Sequence, residues 1–139
     1  MVNYRRRRMR RARFGATTLE LALTLPVFLT LTVGVVEFGR GFMVQQMVTN
    51  AAREGARHGV LPGATNAEVT ATVRGSLAAG SIDPNKVVVT VTPANLVAAK
   101  TGDQVKVQIR VAYNDVTWMP VPWFMGQTSL ASETTMRHE

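Results

Sequence analysis

The stretch Phe14-Gly15-Ala16-Thr17-Thr18-Leu19-Glu20, running on as LALTLPVFLTLTVGVV to Val36, decides how this chain is read. Residues 16–36 form an apolar run of 21 residues, which as a helix measures about 31 Å and is long enough to cross a hydrocarbon core of about 30 Å. Glu20 is the one charged residue within it. A carboxylate in a membrane segment is costly, about 2.5–3.5 kcal/mol at the bilayer centre and less near an edge, so its presence calls for a function.

On the N-terminal side of this run stand Arg5, Arg6, Arg7, Arg8, Arg10, Arg11 and Arg13. They hold seven of the sixteen Lys and Arg, leaving nine for residues 16–139, where all nine Asp and Glu also lie. The net charge of +7 therefore belongs to a tail, and the body is neutral. That distribution argues against nucleic acid as a partner, because attraction of each arginine to anionic lipid, about 1 kcal/mol, accounts for the same charges. A basic segment beside a membrane span is retained in the cytoplasm, and Arg40 is the one basic residue close to the other end. The C-terminal part is thus expected outside the cytoplasm, with inner-membrane lipid as the first partner. The apolar run exceeds the usual signal-peptide core of about 7–15 residues and is followed by no small-residue cleavage site before Glu37, so a simple secreted protein is not expected.

Beyond the span the helical pattern continues. No proline occurs between Glu37 and His58, and Met43, Met47, Ala51, Gly55 and Gly59 recur every fourth residue, which sets them near one face that drifts slowly around the helix and narrows from methionine to glycine, so packing is expected against its later turns. Glu54 is spaced to meet Arg57 or His58, with Arg53 and Arg57 on a solvated side. Pro26 lies inside the apolar run and takes the helical donor from the Ala22 carbonyl, which predicts a kink or local melting there, with Thr24 and its neighbours able to satisfy part of the freed backbone. Gly59 and then Pro62-Gly63 end the helix.

Four segments follow: a basic cytoplasmic leader over 1–15, a transmembrane helix over 16–36, its extension over 37–60 and a small extracytoplasmic domain over 61–139. In that domain Thr65-Asn66-Ala67-Glu68 reads as a capping box opening a short helix, about 66–79, with Val69, Val73 and Leu77 on its apolar side. Residues 86–92 are a β-branched run, and 104–113 alternates Val105, Val107, Ile109, Val111 and Tyr113 with Lys106, Gln108, Arg110 and Ala112. A weaker strand spans 129–136. The fold class is α+β: a long N-terminal helix, a second short helix and a small antiparallel sheet of about three strands. Between the last two strands, Trp118 to Phe124 is too broken by proline for a regular element and too apolar for an idle loop. It either folds back onto the sheet as core or meets a partner subunit or the membrane interface.

No catalytic residues, metal ligands or cofactor are expected. The chain lacks cysteine, a Gly-rich phosphate loop and a nucleophile-base constellation, and Glu133, His138 and Glu139 read as a solvated end. At the junction, Gly15 offers an unhindered scissile bond to a protease facing the cytoplasm, and cutting after it would place a new ammonium on Ala16. Glu20 would become the fifth residue of the shortened chain, able to pair with its own terminus or a neighbour's and so to set register within an assembly.

These residues resemble a known family. The basic leader, Gly15, Glu20 and the apolar run look like a type IV prepilin. The segments 19–26 (LELALTLP), 37–40 (EFGR) and 50–57 (NAAREGAR) are similar to TadE-like pilus-assembly proteins of the Flp/Tad system, as is the ending TMRHE at 135–139. The resemblance singles out Glu37, Arg40, Asn50, Ala51, Arg53, Glu54, Gly55 and Arg57. It implies a pilin-like minor pilin or pseudopilin, a substrate rather than an enzyme, processed after Gly15 by a membrane prepilin peptidase and partnered by other pilins and the Tad assembly machinery, in the inner membrane or in the pilus itself. Leu21 stands where major Flp pilins carry an aromatic residue, and residues 61–139 exceed the globular part of such subunits, both of which argue against the major subunit. The alternative is an uncleaved, single-pass, signal-anchored envelope protein whose outer domain binds a partner.

Overall fold

The computed structural model describes residues 2–117 and 128–138, with residues 2–14 as backbone alone. The arginine side chains of the leader and the Trp118 to Phe124 segment lie outside the described side chains. Helix α1 spans Val2–Gly59, α2 spans Asn66–Ala79, and strands β1 (Val87–Thr92), β2 (Gln104–Ala112) and β3 (Ser129–Arg137) follow, with 3-10 turns at Pro84–Lys86, Leu96–Ala98 and Tyr113–Asp115. The strands form one antiparallel sheet in the order β1-β2-β3. The expected α+β class, with its long apolar helix, short helix and three strands, is what the chain adopts.

The chain divides into two compact units, Met1–Phe38 and Gly39–Glu139, and α1 contributes to both. Helical backbone extends back to Val2, well before the apolar run. The leader has no Pro or Gly ahead of Gly15, and arginine is nearly as good a helix former as alanine. In the first unit every described side chain from Gly15 to Val36 is exposed, and this stretch is long and apolar enough to cross a membrane. The helix runs through Pro26 without interruption. Thr24, Thr30 and Thr32 each donate a hydroxyl to the carbonyl four residues back, those of Glu20, Pro26 and Phe28, all at 2.8 Å. Thr24 therefore serves the Glu20 carbonyl and not the Ala22 carbonyl that Pro26 leaves without its donor.

The second unit has a core between α1, α2 and one face of the sheet. From α1 come Val44, Val48, Ala51, Ala52 and Ala56, from α2 Val69, Val73 and Leu77, and from β2 Val105, Val107, Ile109 and Val111. The packed face of α1 follows the every-fourth-residue row over its later turns, as expected, and leaves it at the start. Met43 is exposed and Met47 only half-buried, while Val44 and Val48 are buried. A strict four-residue step drifts around a helix of 3.6 residues per turn, so the surface that stays against the core mixes steps of three and four. The row and the core face converge at Ala51, Gly55 and Gly59, which are all buried.

The glycines explain how closely the layers approach. A Cβ on Gly55 would stand 2.5 Å from Val73 Cγ2 and 3.5 Å from Val107 Cγ1, and one on Gly59 would stand 3.0 Å from Val105 Cγ1. Toward the other end, a Cβ on Gly41 would lie 3.6 Å from the Tyr113 ring. Gly41, Gly55 and Gly59 thus meet Tyr113, Val107 and Val105 in reverse order, so α1 lies antiparallel along β2. The eighteen helical residues from 41 to 59 and the eight extended ones from 113 to 105 each cover about 27 Å, so helix and strand stay in step.

The capping box forms as read. Thr65 Oγ1 accepts from the Glu68 N–H at 3.2 Å, and Glu68 Oε2 accepts from the Thr65 N–H at 2.9 Å. The β2 alternation holds from Val105 to Val111, while Tyr113 falls just beyond the strand in a 3-10 turn. Strand β3 carries no buried residue and alternates half-buried with exposed positions, consistent with its weaker pattern.

Candidate functional site

Gly15 and Ala16 sit in the exposed, helical part of α1, and a Cβ on Gly15 would meet nothing within 4 Å. The bond between them is open to an approaching protein, but it is folded into helical hydrogen bonding. A peptidase that binds its substrate extended must unwind this turn, and glycine makes that about 1 kcal/mol easier per residue than alanine would. Five residues on, Glu20 is also exposed, one turn above the Ala16 position. Its carboxylate has the reach to meet a positive terminus one turn away or on a neighbouring chain.

The residues singled out between 37 and 57 fall into three structural groups. Ala51 and Gly55 are core, and Gly55 admits the close approach of α2. Arg40 and Glu54 are clasps within the second unit. Arg40 Nε donates to the Val116 carbonyl across 76 positions of sequence, fixing the end of the turn after β2 against α1. Glu54 Oε2 accepts from Ser76 Oγ at 2.6 Å, a partner on α2 rather than at Arg57 or His58. Asn50, Arg53 and Arg57 form the third group, exposed along α1 with no role in the core. Glu37 is half-buried at the junction.

Sequence reasoning missed several side chains that hold this frame. Gln45 Nε2 donates to the Ala131 carbonyl at 3.0 Å, tying α1 to β3. Asn66 uses both ends of its amide, Nδ2 donating to the Pro93 carbonyl at 3.0 Å and Oδ1 accepting from the Leu96 N–H at 2.9 Å. An Asn beside an N-cap was the available signal, but its partners lie 27 and 30 residues away and depend on the fold.

The ion pairs Lys86–Asp115 at 3.0 Å and Lys106–Glu133 at 2.7 Å are solvent-exposed and worth about 0–1 kcal/mol each. Glu68 is held below the usual carboxylate range, first by the Thr65 backbone N–H and then by the Thr65 hydroxyl, with the nearby His58 adding a little. His58 Nδ1 is buried without a hydrogen-bond partner. Glu133 is engaged by Lys106, and the His138 backbone exchanges bonds with Gly102 and Asp103, whereas Glu139 lies outside the described residues. Among the described residues no group of three His, Cys, Asp or Glu is placed to hold a metal ion.

Comparison with known families places one match on this frame. A family model described as TadE-like protein matches residues 15–57, beginning at Gly15 and covering the exposed apolar helix together with the part of α1 that packs into the second unit. No curated protein and no solved structure shows a significant match.

Proposed function

Taking residues 15–57 as a TadE-like segment, we propose that the chain acts in assembly of a Tad-type pilus as a membrane-inserted minor pilin or pseudopilin. The observation that carries this reading is the extent of the match. It starts at the residue preceding the proposed scissile bond and ends within the α1 turns that build the core of the second unit. In this account the basic leader holds the N-terminus in the cytoplasm, residues 16–36 cross the inner membrane once, and the second unit is extracytoplasmic.

A prepilin peptidase cuts between Gly15 and Ala16, leaving an ammonium on Ala16. Glu20 pairs with that ammonium on a neighbouring pilin and fixes the axial register of the two helices, because each charge alone in lipid is costly and the pair offsets part of both penalties. Pro26, which removes one helical hydrogen bond, is where the span bends to fit against neighbours. Asn50, Arg53 and Arg57, exposed and outside the core, are the positions available to other pilins and the assembly machinery. Arg40, Ala51, Glu54 and Gly55 instead keep the second unit on its helix. The protein is an assembly component in this account, not an enzyme, and uses no cofactor.

The test is intact mass with N-terminal sequencing of the chain recovered from native membranes that contain the peptidase. A chain beginning at Ala16 is expected. One still carrying the leader would reduce the protein to an uncleaved, signal-anchored one.

A further inference from the structure

The sheet of the second unit ends on two edges, β1 and β3, which both run antiparallel to β2 and so parallel to each other. In an antiparallel pair, residues that turn their N–H and C=O toward the partner strand alternate with residues that turn them away. The Tyr113 N–H donates to the Thr128 carbonyl at 2.9 Å and the His138 N–H to the Asp103 carbonyl at 2.8 Å, which sets the phase. The even-numbered residues of β3 bond to β2, and Ser129, Ala131, Glu133, Thr135 and Arg137 turn their backbone groups to the outer edge. By the same alternation, Val87, Val89 and Val91 do so on β1. Among the described residues one of these outward groups is engaged, the Ala131 carbonyl, which accepts from Gln45 Nε2 at 3.0 Å. The edge of β3 is thus open from Glu133 to Arg137. Open edges are templates for further strands and are usually shortened, bulged or given proline or lysine. β3 keeps an unbroken register over nine residues and has neither residue type.

The two edges fit each other when one copy is set beside another. In a parallel ladder, a residue whose groups point across bonds to the two residues flanking the one opposite it. Place Glu133, Thr135 and Arg137 opposite Val88, Thr90 and Thr92 of a second copy. The N–H groups of Glu133, Thr135 and Arg137 then meet the carbonyls of Val87, Val89 and Val91, and the N–H groups of Val89 and Val91 meet the carbonyls of Glu133 and Thr135. The next donor in the second copy would be Pro93, which has no N–H, and Arg137 is the last residue of β3, so the ladder closes where both edges end. At its other end it stops short of the carbonyl that Gln45 occupies. The side chains agree with this register. On the outer face the exposed Thr135 and Thr90 come opposite each other, and no like charges are opposed. On the inner face the half-buried Met136 meets Val91 of the second copy, itself half-buried for want of a neighbouring strand.

We infer that the partner of this sheet is a second copy of the chain, whose β1 adds in parallel to β3. The contact is heterologous, so each copy keeps one edge for the next and the arrangement extends as a ring or a row. Parallel addition also leaves α1 of every copy running the same way, as chains anchored in one membrane require. Pairing β3 with β3 about a two-fold axis would reverse α1 between copies. The membrane-spanning reading of residues 16–36 enters only through this common direction, and the contact does not depend on cleavage after Gly15.

The chain has no cysteine, so introduced cysteines report this contact alone. Full-length chains carrying Thr90→Cys and Thr135→Cys under different tags are produced together, and their membranes are oxidised with copper phenanthroline. Within one copy these positions are two strands and two residues apart, about 12 Å, too far for a disulfide. Cross-linked product is expected from the mixture and from neither chain alone. Product from Thr135→Cys alone reports two-fold pairing of β3, equal product in all three samples reports random collision, and no product reports no contact; each overturns the proposal. As much product from Thr90→Cys with Ala131→Cys, four residues out of register, overturns it as well. Thr135→Pro removes an outward N–H and leaves the ladder to β2 intact. It is expected to abolish cross-linking of Thr92→Cys with Arg137→Cys, and undiminished cross-linking in that background overturns the ladder. Intact mass of the same samples reads processing after Gly15 separately, so this contact can fail while the assembly reading stands, and the reverse.

Discussion

Replacing Gly55 by alanine tests the closeness of α1 and α2 against helix propensity, because the two effects have opposite signs. Alanine is favoured over glycine in a helix interior by about 1 kcal/mol. The added Cβ would stand 2.5 Å from Val73 Cγ2, where carbons in contact sit about 3.5–4.0 Å apart, so roughly 1 Å must be opened. Val73 is fully buried, and a β-branched residue in a helix has one strongly favoured rotamer, which leaves it little room to turn aside. Overpacking costs about 1–3 kcal/mol, and an approach this short to a fully buried, rotamer-locked side chain belongs in the upper part of that range, about 2–3 kcal/mol. The net expectation for Gly55→Ala is a loss of about 1–2 kcal/mol, which for a unit of this size lowers the melting temperature by about 5–12 °C.

Gly75 is the control. It lies in α2, exposed, with nothing within 4 Å of a Cβ, so Gly75→Ala should stabilise by about 0.5–1 kcal/mol. Gly80 is intermediate. Its nearest atom is Met47 Sδ at 2.8 Å, the tip of a flexible side chain that can swing away. The assay is thermal unfolding of the full chain in detergent, with hydrogen exchange at the Val107 and Ile109 amides reporting the sheet. In a Val73→Ala background, Gly55→Ala should cost less, with a coupling above about 0.5 kcal/mol. A Gly55→Ala protein as stable as wild type, or shifted in the same direction as Gly75→Ala, would refute the packing argument.

Three further outcomes are expected. Thr65→Ala removes the N-cap of α2 and should cost about 1 kcal/mol by chemical denaturation. Since the folded pKa of Glu68 is lowered mainly by Thr65, that part of the stability is fully present above the ordinary carboxylate pKa and is lost as pH falls through the lowered folded value. The gap between wild type and variant should therefore narrow below about pH 4, and a gap constant with pH would count against the cap. Gly15→Val meets open space in the folded chain, yet crowds the scissile bond, so full-length protein should accumulate in membranes that contain the peptidase, and a mature mass identical to that of wild type would remove the peptidase from the account. Glu20→Ala should leave insertion intact, as read by flotation, while lowering co-purification with pilus components; undiminished co-purification would sink the registration role.

How much was legible in the sequence depended on the range of the forces involved. The apolar run from Ala16 to Val36, the capping box at Thr65 and Glu68, and the alternation from Val105 to Val111 are local patterns, and each became the element it announced. The motif between residues 37 and 57 was legible as a set but not as separate roles. Nothing in the spacing says that Arg40 closes on a carbonyl at Val116 or that Glu54 reaches Ser76, because both partners come from elements that pack only after the chain has folded. The course of the packed face at its start was hidden for the same reason. Periodicity shows that a helix has an apolar side, whereas the neighbouring layers select which neighbouring residues form it, here Val44 and Val48.

The sequence by itself determined that a basic segment adjoins a membrane-length helix, that this helix carries one carboxylate near its start, and that a small α+β unit follows. Those features follow from hydropathy, charge and helical or extended periodicity, which are properties of short stretches of chain. Only the tertiary structure decided that α1 runs antiparallel along β2, that Gly55 and Gly59 stand where the neighbouring layers come close to it, and that the turn after β2 lies beside Arg40 and Gly41. The physical reason is that packing free energy depends on which surfaces fit together at van der Waals distance, and that fit is a property of pairs of elements far apart in the sequence.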